Sequence, residues 1–150
     1  MSLRAQLTEA MKTALKARDT KRLSAVRLML AAIQERDVAA RTQDISDEEI
    51  LGVLTKMVKQ REESAATYDG AGRPELAEGE RGEIAVIREF MPKQMGADEA
   101  KAAAQAAIAE LGAASMKDMG KVMAVLKERF AGQMDFGRAS ATVKELLSTK

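Results

Sequence analysis

The 150-residue chain contains no histidine, no cysteine and no tryptophan, and these gaps remove whole classes of chemistry before any pattern is read. Without histidine there is no Ser-His or Cys-His pair and no imidazole metal ligand. Without cysteine there is no thiolate nucleophile and no disulfide framework, which fits a reducing compartment and leads us to expect a cytoplasmic protein. Aromatic residues make up only 3% of the chain, too few for a platform on which single-stranded bases stack. No run of about 18 apolar residues is present, so neither a membrane span nor a secretory leader is expected. The amphipathic, basic N-terminus matches a mitochondrial presequence loosely; a surface helix is the reading kept.

What is present is an ordinary globular composition, 46% hydrophobic and 31% charged. A chain of this length can bury a core as one domain or as two small ones. The net charge of +1 conceals an uneven distribution. Residues 1–92 carry 15 basic and 16 acidic side chains, and residues 93–150 carry 9 and 7. At the N-terminal end, Arg4, Lys12, Lys16, Arg18, Lys21, Arg22 and Arg27 face only Glu9 and Asp19, whereas residues 44–90 are acidic. Such a pole can steer an anionic partner. The cluster is read in two ways: surface residues partly paired with the acidic helices that follow, or a second contact for RNA or an acidic protein.

Helical punctuation recurs along the whole chain. Ser2 is placed to cap a first helix with Leu3, Leu7, Met11 and Leu15 on one face, ending near Arg18. Asp19 or Thr20 caps a longer second helix with Leu23, Val26, Leu30 and Ile33 as a seam. After a polar break at residues 41–44, Ser46 and Glu49 form a capping box and Ile45 can clasp Ile50 as a hydrophobic staple. The third helix then buries Ile50, Leu54, Met57, Val58, the stem of Arg61, Ala65 and Tyr68. Residues 69–74, DGAGRP, break it, and a fourth, looser helix carries Leu76, Ile84, Ile87 and Met91 to a stop at Pro92. The expectation is an all-α protein with an N-terminal, four-helix, bundle-like domain over residues 1–92.

Residues 93–150 read as a small three-helix module. Asp98 and Glu99 occupy the first turn of an alanine-rich helix that Gly112 ends. Ser115 and Asp118 open the segment SMKDMGKVMAVLKERF, Gly132 closes it, and Asp135 caps a last helix with Val143, Leu146 and Leu147 inward. At 100° per residue, Met116, Met119, Met123, Leu126 and Phe130 fall on one face, with Lys117 and Lys121 pointing away. Core filling is the expected role of the methionines, although an adaptable partner-binding surface has the same spacing. Gly120 and Ala124 are small enough for close approach, and helix packing is the expected reason for Gly120. The acidic residues Asp44, Asp47, Glu48 and Glu49 do not fit an EF-hand loop, and the glutamates of the fourth helix lack the His of a di-iron bundle. The glycines fit no nucleotide loop. No catalytic residue, metal site or cofactor is expected.

KDMGKVM over residues 117–123, followed by FAGQMDFGRASATVKELL, resembles the GatB/YqeY family. KQREESAATYDGAGRPELAEGE over residues 59–80 and FMPKQM over residues 90–95 resemble its stand-alone members. The family takes its name partly from the C-terminal tail of the B subunit of a glutamine-dependent aspartyl/glutamyl-tRNA amidotransferase. The resemblance implies two helical parts, with a C-terminal module that in the amidotransferase helps to hold the tRNA body. It aligns Gly120, Val122, Met123, Gly132, Val143 and Leu147 with motif or packing positions of the tail. The catalytic body of that carbon-nitrogen ligase is absent, so the resemblance implies binding rather than amidoligase chemistry. For tRNA as the suspected partner, Lys117, Lys121, Lys127, Arg129, Arg138 and Lys144 are the candidate phosphate contacts, with Arg4, Lys12, Lys16, Arg18, Lys21 and Arg22 as a secondary patch. The alternative is a helical protein-protein interaction module without a nucleic-acid role, docking its partner through the N-terminal helices.

Overall fold

A computed structural model describes residues 1–148. Among the described residues it contains seven α-helices, one 3-10 turn and no strand. The helices gather into two compact units, Met1–Pro92 and Lys93–Lys150.

The first unit contains α1 (Leu3–Lys16), α2 (Thr20–Ala39), α3 (Asp47–Gly70) and α4 (Pro74–Arg88). Each start follows from a local polar residue. Ser2 Oγ accepts from Ala5 N–H at 3.1 Å, Asp19 from Arg22 N–H at 3.1 Å, and Ser46 Oγ from Glu49 N–H at 3.1 Å. Pro74 opens α4 at its first helical position, and Gly72 before it adopts the left-handed conformation at φ 71°. Leu7, Val26, Met29, Ile33, Ile50, Leu54 and Ile87 form the centre of the core, and Ile45 joins Ile50 in it, as a staple requires.

Two apolar faces differ from expectation. Leu15 is 56% exposed and Leu76 is 39% exposed. On α1 the buried line is Leu7 and Ala14, since a strict every-fourth spacing drifts by about 40° per step and has carried Leu15 off the core side. On α4 the buried residue of the first turns is Ala77 rather than Leu76, because Ala77 shares a face with Ile84.

One charged side chain belongs to this core. Asp37 is 7% exposed and continues the face of Val26 and Ile33. Its carboxylate accepts both guanidinium Nη groups of Arg4, at 2.9 and 3.0 Å, and Ile45 N–H at 2.9 Å. Arg4 Nε also reaches Asp44 at 3.1 Å. The guanidinium of Arg4 and the amide of Ile45 hold the Asp37 carboxyl below the usual carboxylate range. Across α3 and α4, Arg61 meets Glu83 at 2.7 Å and Arg88 meets Glu62 at 2.8 Å, and Arg81 pairs with Asp69.

The second unit contains α5 (Ala97–Leu111), a 3-10 turn (Met116–Asp118), α6 (Met119–Arg129) and α7 (Phe136–Ser148). Gly112 ends α5 at φ 62°. The core is built from Ala104, Ala107, Ile108, Val122, Leu126, Met134, Val143 and Leu147. Alanine on α5 brings the other two helices close to its backbone, which is how so short a module excludes water from its centre.

Leu54→Ala, at a fully buried position, should cost about 2–5 kcal/mol in denaturant unfolding, whereas Leu15→Ala should stay within about 0.5 kcal/mol. Asp37 has its folded pKa depressed, so its stabilisation is present above the unfolded carboxylate pKa and is lost as pH falls through the folded value. Asp37→Asn should therefore lower the thermal midpoint at pH 7, and its gap from the wild type should close as pH falls below about 4. Melting curves across pH 2–7 check this.

Candidate nucleic-acid interface

Of the candidate lysines, Lys117 lies in the segment that joins α5 to α6, Lys121 and Lys127 lie on α6, and Lys144 lies on α7. Asp118 shapes the joining segment: one carboxylate oxygen accepts Ala114 N–H at 3.0 Å and Ser115 N–H at 3.4 Å. Those two amides hold its pKa below the usual carboxylate range, with Lys121 and Lys117 adding to the effect. The chain then passes through the 3-10 turn before α6 begins.

That turn alters the expected faces. A 3-10 turn has three residues per turn instead of 3.6, so the wheel drawn for one continuous helix loses register at its first residues. Met116 is 42% exposed and does not belong to the keel. The buried line of α6 is Val122 and Leu126, with Met119, Met123 and Phe130 partly buried against it. Lys117 and Lys121 are both exposed. The two amides nearest the start of this segment are occupied by Asp118, so they do not await a phosphate.

Gly120 does not serve helix packing. It is exposed, and a Cβ built on it would meet nothing within 4 Å. Ala124, one turn further, is exposed as well. The outer face of α6 is thus a smooth strip, with Lys121 on one side, Lys127 on the other and Lys117 just before it. Glu128 shares this exposed face and opposes an anion there.

The other candidate cations divide into committed and uncommitted groups. Arg129 pairs with Glu110 of α5, and Arg138, 89% exposed at its side chain, lies 3.9 Å from Asp135. Lys117, Lys121, Lys127 and Lys144 are exposed and have no ion pair among the described residues. The remaining motif positions are architectural. Val122, Val143 and Leu147 are core, Met123 packs against it, and Gly132 is a buried left-handed turn at φ 75° whose carbonyl accepts from Gln94 Nε2. Asp135 accepts Gly137 N–H at 2.8 Å and so opens α7.

In the N-terminal unit, Arg4 is held by Asp37 and Asp44, and Arg22 pairs with Glu89 while its guanidinium lies 5.9 Å from the Phe90 ring centroid. Both are structural. Lys12 reaches Glu9 only at 4.0 Å, and Lys16, Arg18 and Lys21 are exposed with no ion pair among the described residues. The residue that sequence reasoning missed is Asp37. Its signal was available, since an acid stands four residues after Ile33 on an otherwise apolar face and a lone arginine stands three before Leu7.

Comparison with known proteins gives the family. A family model described as Yqey-like protein matches residues 4–147. The protein named Altered inheritance of mitochondria protein 41, mitochondrial, from Saccharomyces cerevisiae is 27% identical over 81 residues, which are 54% of this chain and 44% of that protein. Its namesake from Lachancea thermotolerans is 27% identical over 97 residues, 65% of this chain and 52% of that one. The protein of the same name from Kluyveromyces lactis is 27% identical over 86 residues, 57% and 46% of the two chains. The chain spans about half the length of these curated relatives. Among the described residues no helix is long and apolar enough to cross a membrane. Because the family model covers almost every residue of both helical units, the chain belongs to the Yqey-like protein family.

Proposed function

We propose that the protein is a non-catalytic tRNA-binding accessory protein that acts near aminoacyl-tRNA amidation, in the cytoplasm. The observation that carries this reading is the outer face of α6, where Lys117, Lys121 and Lys127 form no ion pair among the described residues, Asp118 acting on the first two only through its field, and surround a glycine that the fold itself does not use. Lysines left without acid partners are free to neutralise phosphates, and each one that does so releases counterions. The bare strip at Gly120 and Ala124 admits a backbone closely, which suits the wide, shallow minor groove of A-form RNA better than a narrow cleft. Glu128 limits how many phosphates the face can hold. This reading rests on the side chains and on the resemblance to the amidotransferase tail.

A second reading, a docking module for a helical protein, is favoured by Leu28 and Val38 of α2, which are 43% and 73% exposed. Capture of a helical protein that Leu28→Ser with Val38→Ser abolishes would support it; an RNA-only yield would remove it.

Binding to bulk tRNA and to duplex DNA of similar length, at about 50 and 200 mM salt, separates the readings. The first expects a preference for tRNA and a steep loss of affinity over that range. Lys117→Glu with Lys121→Glu should weaken binding with circular dichroism unchanged, and unchanged affinity would sink the reading. Gly120→Ala supplies a sharper contrast. In an exposed helix position with open space, it should raise stability by roughly 0.5–1 kcal/mol while weakening tRNA binding.

A further inference from the structure

We infer that the turn between α1 and α2 is a second phosphate-binding surface, which takes the backbone of a folded or duplex RNA; this rests on the tRNA-binding reading above. Residues 12–27 contain six cations and a single carboxylate, that of Asp19. Asp19 is engaged as the cap of α2 through Arg22 N–H, and its charge remains. Of the six cations, Arg22 is committed to Glu89 and Phe90, and Lys12 has only a distant Glu9. Lys16, Arg18, Lys21 and Arg27 are exposed and have no ion pair among the described residues. Lys12 and Lys16 lie four residues apart, about 6 Å along the axis of α1, and Arg18 and Lys21 continue the group around the turn.

A second observation is independent of charge. Arg18 adopts the left-handed conformation at φ 58°, the region that favours glycine. At the turns after α3, α5 and α6 the same chain uses Gly72, Gly112 and Gly132 for that conformation. Arg41, after α2, shares it at φ 56°, and the acids nearest to it in the chain, Asp37 and Asp44, are held by Arg4. Arg18 keeps a long, exposed cationic side chain at a position where glycine is free of strain, and such strain is characteristically retained where it serves a site. The competing explanation is a cation that complements the dipole at the C-terminus of α1. The two explanations predict opposite results for Arg18→Gly. If Arg18 serves as a phosphate ligand, the variant gains thermal stability and loses RNA affinity. If it serves the helix dipole, the variant loses stability and binds as before.

The test uses the full chain, bulk tRNA and a plain RNA duplex, with affinity measured against salt for four proteins: wild type, Lys16→Glu with Lys21→Glu, Arg18→Gly, and Lys117→Glu with Lys121→Glu. A phosphate surface at this turn predicts that the Lys16 and Lys21 pair weakens binding about tenfold or more at about 50 mM salt. Every cation withdrawn from a phosphate should also reduce the salt slope by roughly 0.7–0.9. If wild type binds and the Lys16, Lys21 and Arg18 variants leave affinity and slope unchanged, the inference is overturned, while weaker binding in the Lys117 and Lys121 variant alone leaves the α6 reading standing. If the first variants weaken binding and the last does not, the inference holds and the α6 reading fails. Wild type that binds neither RNA at about 50 mM salt overturns both. Capture by vesicles of anionic phospholipid in place of RNA assigns the turn to a membrane surface and overturns it too.

Discussion

The interaction on which both units depend is the hydrogen bond from a backbone N–H to an aspartate carboxylate where the chain turns. A helix leaves its first amides without partners; serine serves α1 and α3, and aspartate serves other junctions. Asp19 opens α2, Asp135 opens α7, and Asp118 gathers two amides before α6. Asp47 reaches from the start of α3 to Leu3 N–H at the start of α1, at 3.3 Å. Asp37 is the strongest case, because it binds an amide of the loop before α3 and the guanidinium of α1 from within the core. Two of these carboxylates, Asp37 and Asp118, are held below the usual carboxylate range, so the stabilisation they give is lost as pH falls through their folded values.

This also explains what was legible in the sequence. Ser2, Asp19, Ser46, Pro74, Gly112, Gly132 and Asp135 act within a few residues of themselves, so their caps and stops could be read locally. The seams of α2 and α3 were legible because their apolar spacing runs long enough to average out drift. Leu15, Leu76 and Met116 were misplaced because face assignment is weakest at helix ends, where drift of a four-residue spacing, a neighbour sharing the core face and a 3-10 turn respectively moved them off it. Asp37 was missed because its role is defined by Arg4, 33 positions away.

The candidate site was legible in composition and not in allegiance. Sequence could name the cations but could not say which ones the fold consumes. Arg129 and Arg138 stood beside Lys117 and Lys121 as equal candidates, yet the structure draws the two arginines toward Glu110 and Asp135. Gly120 was assigned to packing because its small size admits a neighbouring helix, and the open space around it leaves its exposed surface to explain it.

The division between arginine and lysine carries the argument one step further. Among the described residues the close ion pairs are made by arginine: Arg4 to Asp37, Arg22 to Glu89, Arg61 to Glu83, Arg81 to Asp69, Arg88 to Glu62 and Arg129 to Glu110. The planar guanidinium matches a carboxylate with two parallel donors, whereas a hydrated ammonium on a flexible stem gains less from a fixed partner. A chain of almost zero net charge can therefore present local positive surface, since arginine takes up several of its acids and its lysines remain in water. Net charge is for this reason a poor guide to polyanion binding in a helical protein, and the pattern of pairing is a better one. Arg18, Arg27, Arg36 and Arg41 make no ion pair among the described residues, and of these Arg18 stands within the lysine cluster of the first turn, in a backbone conformation where glycine would be easier.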